Sequence, residues 1–154
     1  MSDAVFLRPA QSGEEEILSE LCLRSKALWG YDAAFIAACA PFLKVTTHAV
    51  DMGWATVAHE PDGRLLGVCQ IDPEGHGGSL DLMFITPEAI GKGVGRRLFG
   101  HAKEQLKQLG HTKMTILSDP NAETAYIHMG AKRVEMRPSD VFKGRKLPWL
   151  EVAL

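Results

Sequence analysis

Residues 90 to 96 read Ile90-Gly91-Lys92-Gly93-Val94-Gly95-Arg96, between an apolar strand-like run and a strongly periodic helical segment. Glycine at every second position lets a backbone approach a ligand without side chains in the way. The helix that follows adds unpaired N–H groups and the positive end of its dipole. The chemistry this pattern suits is anion binding, above all of a phosphate-bearing cofactor. A ligand-free turn from strand to helix is the plain alternative. A second candidate is Tyr126, which shares a helical face with Ala122, Ala125 and Met129. Small neighbours leave its phenol approachable, although an ordinary core tyrosine would look the same.

The spacing discriminates among phosphate loops. A P-loop needs a hydroxyl residue after Gly-Lys to reach Mg²⁺, but Arg96 and Arg97 follow the last glycine here. A dinucleotide fingerprint needs a third glycine and an acid about 20 residues further on. Leu98 stands at that glycine position and Asp119 lies too far along the chain. The stretch instead resembles the pyrophosphate loop of the GNAT acetyltransferase superfamily, Arg/Gln-x-x-Gly-x-Gly/Ala, at Gly93 and Gly95. It departs from that pattern at Ile90. Asp119-Pro120-Asn121-Ala122, Tyr126 and Met129-Gly130-Ala131 resemble the C-terminal motif of many bacterial members. More weakly, Arg24-Ser25-Lys26, Trp29-Gly30-Tyr31-Asp32 and Gly144-Arg145-Lys146-Leu147-Pro148 are similar to one bacterial subgroup. The similarity covers nearly the whole chain. It is specific for fold and acyl-CoA use, and silent on the acceptor.

The resemblance implies direct transfer of an acetyl group from acetyl-CoA to a primary amine, on a small molecule or a peptide. Gly91, Lys92, Gly93, Val94, Gly95 and Arg96 would hold the CoA pyrophosphate. The Arg96 guanidinium either adds a contact or simply faces solvent, and Arg97 is a weaker candidate. The strand before the loop is expected to bulge and splay from its parallel neighbour. The pantetheine arm would then pair with the backbone of Met83, Phe84 and Ile85. Asn121 or Asp119 would contact the pantetheine amides, unless Asp119 is only a helix cap. Tyr126 is the expected general acid. Asp81 is the expected base, directly or through water, or else a buried acid bonded to backbone; Glu88 is a weaker choice. Trp29, Tyr31 and Phe35 would wall the acceptor site, or only pack their helix turn onto the sheet. An acyl-CoA-binding module without turnover is the non-enzymatic alternative. A homodimer through sheet edges is also expected, with the C-terminal strand exposed.

The elements that must position these residues can be read from periodicity and punctuation. Residues 4–8 form a strand ended by Pro9, and Ser12 with Glu15 reads as a capping box for a helix striped by Ile17, Leu18, Leu21, Cys22 and Leu28. Trp29-Gly30-Tyr31 breaks it, and Asp32 caps a second helix over 33–40, stopped by Pro41. Strands over 53–59 and 64–71 make a hairpin around Glu60-Pro61-Asp62-Gly63. Residues 80–86 are nearly all apolar, as in a central strand covered on both faces. Val94, Leu98, Phe99, Ala102, Leu106 and Leu109 give the strongest helical face, ended by Gly110. The strand over 112–117 must then run parallel to 80–86, through a right-handed crossover. Asp119 with Pro120 opens a further helix that ends at Gly130, and strands over 131–137 and 147–153 follow. The expected class is α/β, a GNAT-type mixed, largely antiparallel sheet with a central splayed parallel strand pair and about four helices. Residues 1–154 are expected to form a single domain.

Composition excludes several other functions. The 154 residues are 45% hydrophobic and 23% charged with a net charge of −2, and no long basic run suggests a nucleic-acid partner. No apolar run is long enough to span a membrane, and Met1 to Pro9 lacks the features of a signal peptide. Cys22, Cys39 and Cys69 are widely spaced in apolar segments, as expected of free core thiols in the cytoplasm. His48, His59, His76, His101, His111 and His128 show no ligand-pair spacing, so no metal is expected.

Overall fold

The computed structural model describes residues 4–75 and 77–154; His76 and Met1 to Asp3 lie outside the described residues. The chain runs β1 (Phe6–Pro9), α1 (Glu15–Ala27), α2 (Ala33–Cys39), α3 (Thr47–Asp51), β2 (Ala55–His59), β3 (Leu65–Asp72), β4 (Ser79–Ile85), α4 (Val94–Gln108), β5 (Lys113–Leu117), α5 (Glu123–His128), β6 (Lys132–Pro138) and β7 (Lys146–Ala153). The strands form one sheet in the order β1-β2-β3-β4-β5-β7-β6. Among the described residues only β4 and β5 are parallel neighbours.

Each face of the sheet is covered by the helix whose stripe fits it. Val94, Leu98, Phe99, Ala102 and Leu106 of α4 are buried with Cys69, Leu80, Met114 and Ile116. On the other face Leu18, Leu21 and Cys22 of α1 pack with Val57, Val68, Leu82 and Phe84. This double cover explains why β2 and β3 read as continuous apolar runs rather than alternating ones.

Two irregularities position the site. In the β3–β4 ladder Gln70 faces Leu82, yet Ile71 faces Leu80, so Asp81 is the extra residue of a β-bulge. The β4–β5 ladder has the single register pair Ser79↔Thr115, beside a bond from the Thr115 N–H to the Gly78 carbonyl of 3.0 Å. Past that point the two parallel strands part, and β5 is held instead by five register pairs with β7. The splayed pair and the bulge expected of the strand before the glycine loop are therefore both present.

Other details depart from the sequence reading. There are five α-helices among the described residues rather than about four, because α3 is capped by Thr46 accepting from the Ala49 N–H. The Ser12 capping box does not form. Glu14 accepts from the Gln11 N–H and Glu15 from the Gly13 N–H, so the acids of the first turn tie the entry themselves. Helix α5 begins at Glu123, a turn later than Asp119, which leaves the Asp119 side chain free for other partners. The C-terminal strand β7 is not an edge: β5 and β6 flank it, and its Trp149, Leu150 and Val152 are buried. The edge on that side of the sheet is β6, whose charged, mostly exposed side chains suit an unpaired strand.

Candidate active site

The glycine turn follows β4 through a short helical turn, Pro87–Ala89, and delivers the chain to α4. Gly91 and Gly93 have φ of 87° and 79°, a region that costs other residues strain, and a Cβ on either would meet nothing within 4 Å. Gly95 serves a different end. A Cβ there would lie 2.8 Å from Ile85 Cδ1, so its absence lets α4 sit close on β4.

The first backbone bond of α4 runs from the Arg97 N–H to the Gly93 carbonyl, 3.1 Å, and the Lys92 N–H is taken by Ala89 at 3.2 Å. The N–H groups of Gly91, Gly93, Val94, Gly95 and Arg96 have no backbone acceptor among the described residues. No side chain caps this helix either. The result is a row of free donors at the positive end of the longest helix among the described residues. Arg96 and Ile90 are exposed beside it, whereas Arg97 donates to the Val5 carbonyl at 2.9 Å.

Where β4 and β5 part, a cavity of about 510 Å³ opens through the sheet. Asp81, Met83 and Phe84 line it from β4, Ile116 and Leu117 from β5, and Tyr126 from α5. The Thr86 N–H bonds to the Leu66 carbonyl at 2.8 Å, which sets the phase of the β3–β4 ladder. By alternation Phe84 turns its backbone toward β3, and Met83 and Ile85 turn theirs toward the gap. Of the three β4 residues singled out in the sequence, two therefore present main-chain groups to the opening. Phe84 contributes its ring.

Tyr126 is 7% exposed and packs its ring 5.8 Å from Phe99. Burial chiefly, with the Asp119 carboxylate nearby, pushes its phenol well above the usual tyrosine range, so it stays protonated at neutral pH. Cys22 and Cys69 are also pushed up, to about 12, chiefly by burial, which keeps both as thiols. Asp81 is exposed to the cavity, not buried, and accepts from the Ser79 hydroxyl at 3.0 Å. Glu88 is exposed on the turn after β4.

The aromatic residues divide. Trp29 lines the cavity. Tyr31 and Phe35 are not among the lining residues; they stack on each other at 4.1 Å, and Phe35 stacks on Phe142 at 4.6 Å. The Tyr31 hydroxyl belongs to a polar cluster. Lys26 pairs with Asp119 at 2.8 Å, both side chains being 10% exposed or less. The Tyr31 hydroxyl bonds to Asp119 at 2.9 Å, and Arg145 donates to Tyr31 at 2.8 Å. Burial alone would raise the Asp119 carboxyl. The bonds from Lys26, the Asn121 N–H and Tyr31 outweigh it and hold the group below the usual carboxylate range. Asn121 donates through its side chain to both Tyr31 and Asp119. In the sequence Lys26 and Arg145 stand out only as members of short motifs. Nothing local links positions so distant along the chain.

Among the described residues no group of three His, Cys, Asp or Glu could hold a metal ion, and no helix is long and apolar enough to cross a membrane. Comparison with known proteins agrees with the geometry. A family model described as acetyltransferase (GNAT) domain matches residues 18–146. Among proteins of curated function, no sequence relative is found. The fold is similar to that of the PaiA N-acetyltransferase of Thermoplasma acidophilum, solved with coenzyme A: TM-score 0.78, 15% identity, 98% of this chain and 99% of that one. It is also similar to N-acetylglutamate synthase from Neisseria gonorrhoeae, solved with coenzyme A and N-acetyl-glutamate: TM-score 0.71, 18% identity. That match takes in 98% of this chain but only 35% of the synthase. A GCN5-related N-acetyltransferase from Rhodopseudomonas palustris matches with TM-score 0.76 and 15% identity, over 97% of this chain and 95% of that one.

Proposed function

The chain belongs to the GNAT acetyltransferase family, and from that premise we propose that it transfers an acetyl group from acetyl-CoA to a primary amine, by direct attack of the amine. The observation that carries this reading is a coincidence of two local features. A row of partnerless N–H groups at the start of α4 lies at the end of the same strand, β4, that has parted from its parallel neighbour. Acetyl-CoA would supply an activated thioester and, at its other end, a diphosphate anion.

The residues present fit such a group. The N–H groups of Gly91, Gly93, Val94, Gly95 and Arg96 would grip the diphosphate, with the helix dipole behind them. The Met83 and Ile85 N–H groups would bond the arm lying in the gap. One of them would polarise the reacting carbonyl, and such a donor lowers the barrier by roughly 3 kcal/mol. Tyr126, protonated at neutral pH, would donate its proton to the leaving sulfur.

A lysine-like amine titrates near pH 10.4, so presenting it neutral at pH 7 costs about 4.6 kcal/mol. Asp81 offers a carboxylate to take that proton, directly or through water, from the bulge that turns it into the cavity. Trp29 walls the acceptor side. Residues 1–154 act as one catalytic unit in this reading, and the free buried thiols of Cys22, Cys39 and Cys69 suit a reducing cytoplasm. Any edge-paired homodimer would use β6 or β1 rather than β7.

The test is release of free CoA thiol from acetyl-CoA over an amine panel, with wild type and Tyr126→Phe. Turnover by wild type and a loss of about 10²-fold or more in kcat for the variant, at an unchanged acetyl-CoA KM, are expected. Equal turnover would remove Tyr126 as the acid. Tight acetyl-CoA binding with no thiol release under any amine would favour a binding module instead.

A further inference from the structure

The polar cluster at one side of the cavity carries an unbalanced charge. The Asp119 carboxylate is saturated: Oδ2 accepts from Lys26 at 2.8 Å and Tyr31 at 2.9 Å, and Oδ1 accepts from the Asn121 N–H at 2.8 Å and Asn121 Nδ2 at 2.9 Å. The Tyr31 hydroxyl is saturated too. It gives its one proton to Asp119 and accepts from Arg145 at 2.8 Å and Asn121 at 3.1 Å. Arg145 lies 3.8 Å from Asp119 Oδ2, beyond hydrogen-bond reach, so its direct partner is a neutral phenol. Two cations thus share one buried carboxylate, and a positive charge is left over.

The guanidinium is nevertheless held in place. It sits 4.9 Å from the Phe35 ring and 5.4 Å from the Tyr31 ring, and the stack of Tyr31, Phe35 and Phe142 fixes those faces. Its unused donors have somewhere to point, because Arg145 and Lys26 both line the cavity. Asp81 lines it from β4. The other charged lining residues, Lys44 and Asp140, are both exposed and opposite in sign.

We propose that the acceptor is an amine that also carries a carboxylate, an amino-acid-type molecule, with Arg145 and Lys26 as the specificity residues that hold the carboxylate. This rests on the acetyl-transfer reading above and names its acceptor class. A singly charged anion neutralises the one surplus positive charge, and the planar fork of a guanidinium pairs two N–H groups with two carboxylate oxygens. The amine then faces Asp81, so the acceptor's own dipole matches the cavity. Trp29, which lines the same cavity, would meet an apolar or aromatic side chain of that acceptor.

The test measures kcat/KM for thiol release with common amino acids, their carboxamides and the matching decarboxylated amines. Free amino acids should exceed both neutralised forms by about tenfold or more, the value of one charge-assisted hydrogen bond to a buried site. Arg145→Met should bring the three classes to parity without changing the acetyl-CoA KM, and Arg145→Lys should restore part of the preference. As a check independent of turnover, N-acetylated amino acids should raise the melting temperature of wild type more than their carboxamides do. Equal or better turnover of decarboxylated amines, or a preference that survives Arg145→Met, would overturn this inference and leave the acetyl-transfer reading standing. Absence of turnover with every amine would overturn both.

Discussion

The glycine turn before α4 and the cluster around Asp119 are built on opposite principles. The turn is almost all backbone. What sets it apart is what side chains do not do there: among the described residues none caps the helix, and none lies within 4 Å of where a Cβ on Gly91 or Gly93 would stand. The cluster is almost all side chain, with Lys26, Tyr31, Asp119, Asn121 and Arg145 brought together from distant parts of the chain. A backbone site can be shared by any sequence that keeps its few glycines. A side-chain site can change with each substitution. The contrast suits a protein that uses a common acetyl donor and an individual acceptor.

The comparison can be broken from either end. Asp119→Ala should have the largest effect. It leaves Lys26 buried without its partner and takes one acceptor from each of Tyr31 and Asn121, which should cost roughly 3–5 kcal/mol of unfolding free energy by urea denaturation. Acetyl-CoA affinity of the folded fraction should be unchanged. A large loss of that affinity would show that the two regions are not independent.

Gly93→Leu should act the other way. The new Cβ enters open space at φ 79°, with a strain of about 1–2 kcal/mol. The displaced donors should weaken acetyl-CoA binding about 100-fold by calorimetry, as for two charge-assisted bonds. An unaltered Kd would disprove the grip. The fold should otherwise hold, because no packed atom is displaced.

Acid should weaken the cluster first. Asp119 binds its proton less tightly when folded than when unfolded. Its contribution is complete above the ordinary value of 3.8 and is lost as pH falls below it, through the depressed folded value. Wild-type stability measured against pH should therefore drop over that acid range. Asp119→Asn should show a flatter curve there, and parallel curves would mean that the pair is not linked to folding. The smallest effect is expected from Arg96→Ala. If the grip is made by backbone, losing this exposed side chain should change the Kd only about two- to fivefold, and less so at high salt.

The same contrast decides what was readable from sequence. The glycine turn, the α4 stripe and the crossover to β5 are local patterns, and each was legible because spacing along the chain equals spacing in the fold. Asp32 is legible as a cap for the same reason, since it accepts from the Phe35 N–H three residues on. Helix α3 was hidden because Val45, Thr46, Thr47 and Val50 have a β-branched pattern and five residues give no stripe. The bulge at Asp81 had no glycine or proline to mark it. The misplaced edge came from position alone. The buried run around Trp149 and the charged pattern of Lys132, Arg133, Glu135 and Arg137 already distinguish an inner strand from an outer one. The Asp119 cluster was unreadable in principle, because its members meet only after the sheet has formed.

Amide hydrogen exchange read residue by residue, with and without coenzyme A, tests the central assignment most directly. The account predicts new protection at Gly91, Gly93, Val94, Gly95 and Arg96 and at Met83 and Ile85. Phe84, already bonded to β3, should change little. Protection that appears elsewhere while these amides exchange as before would contradict it.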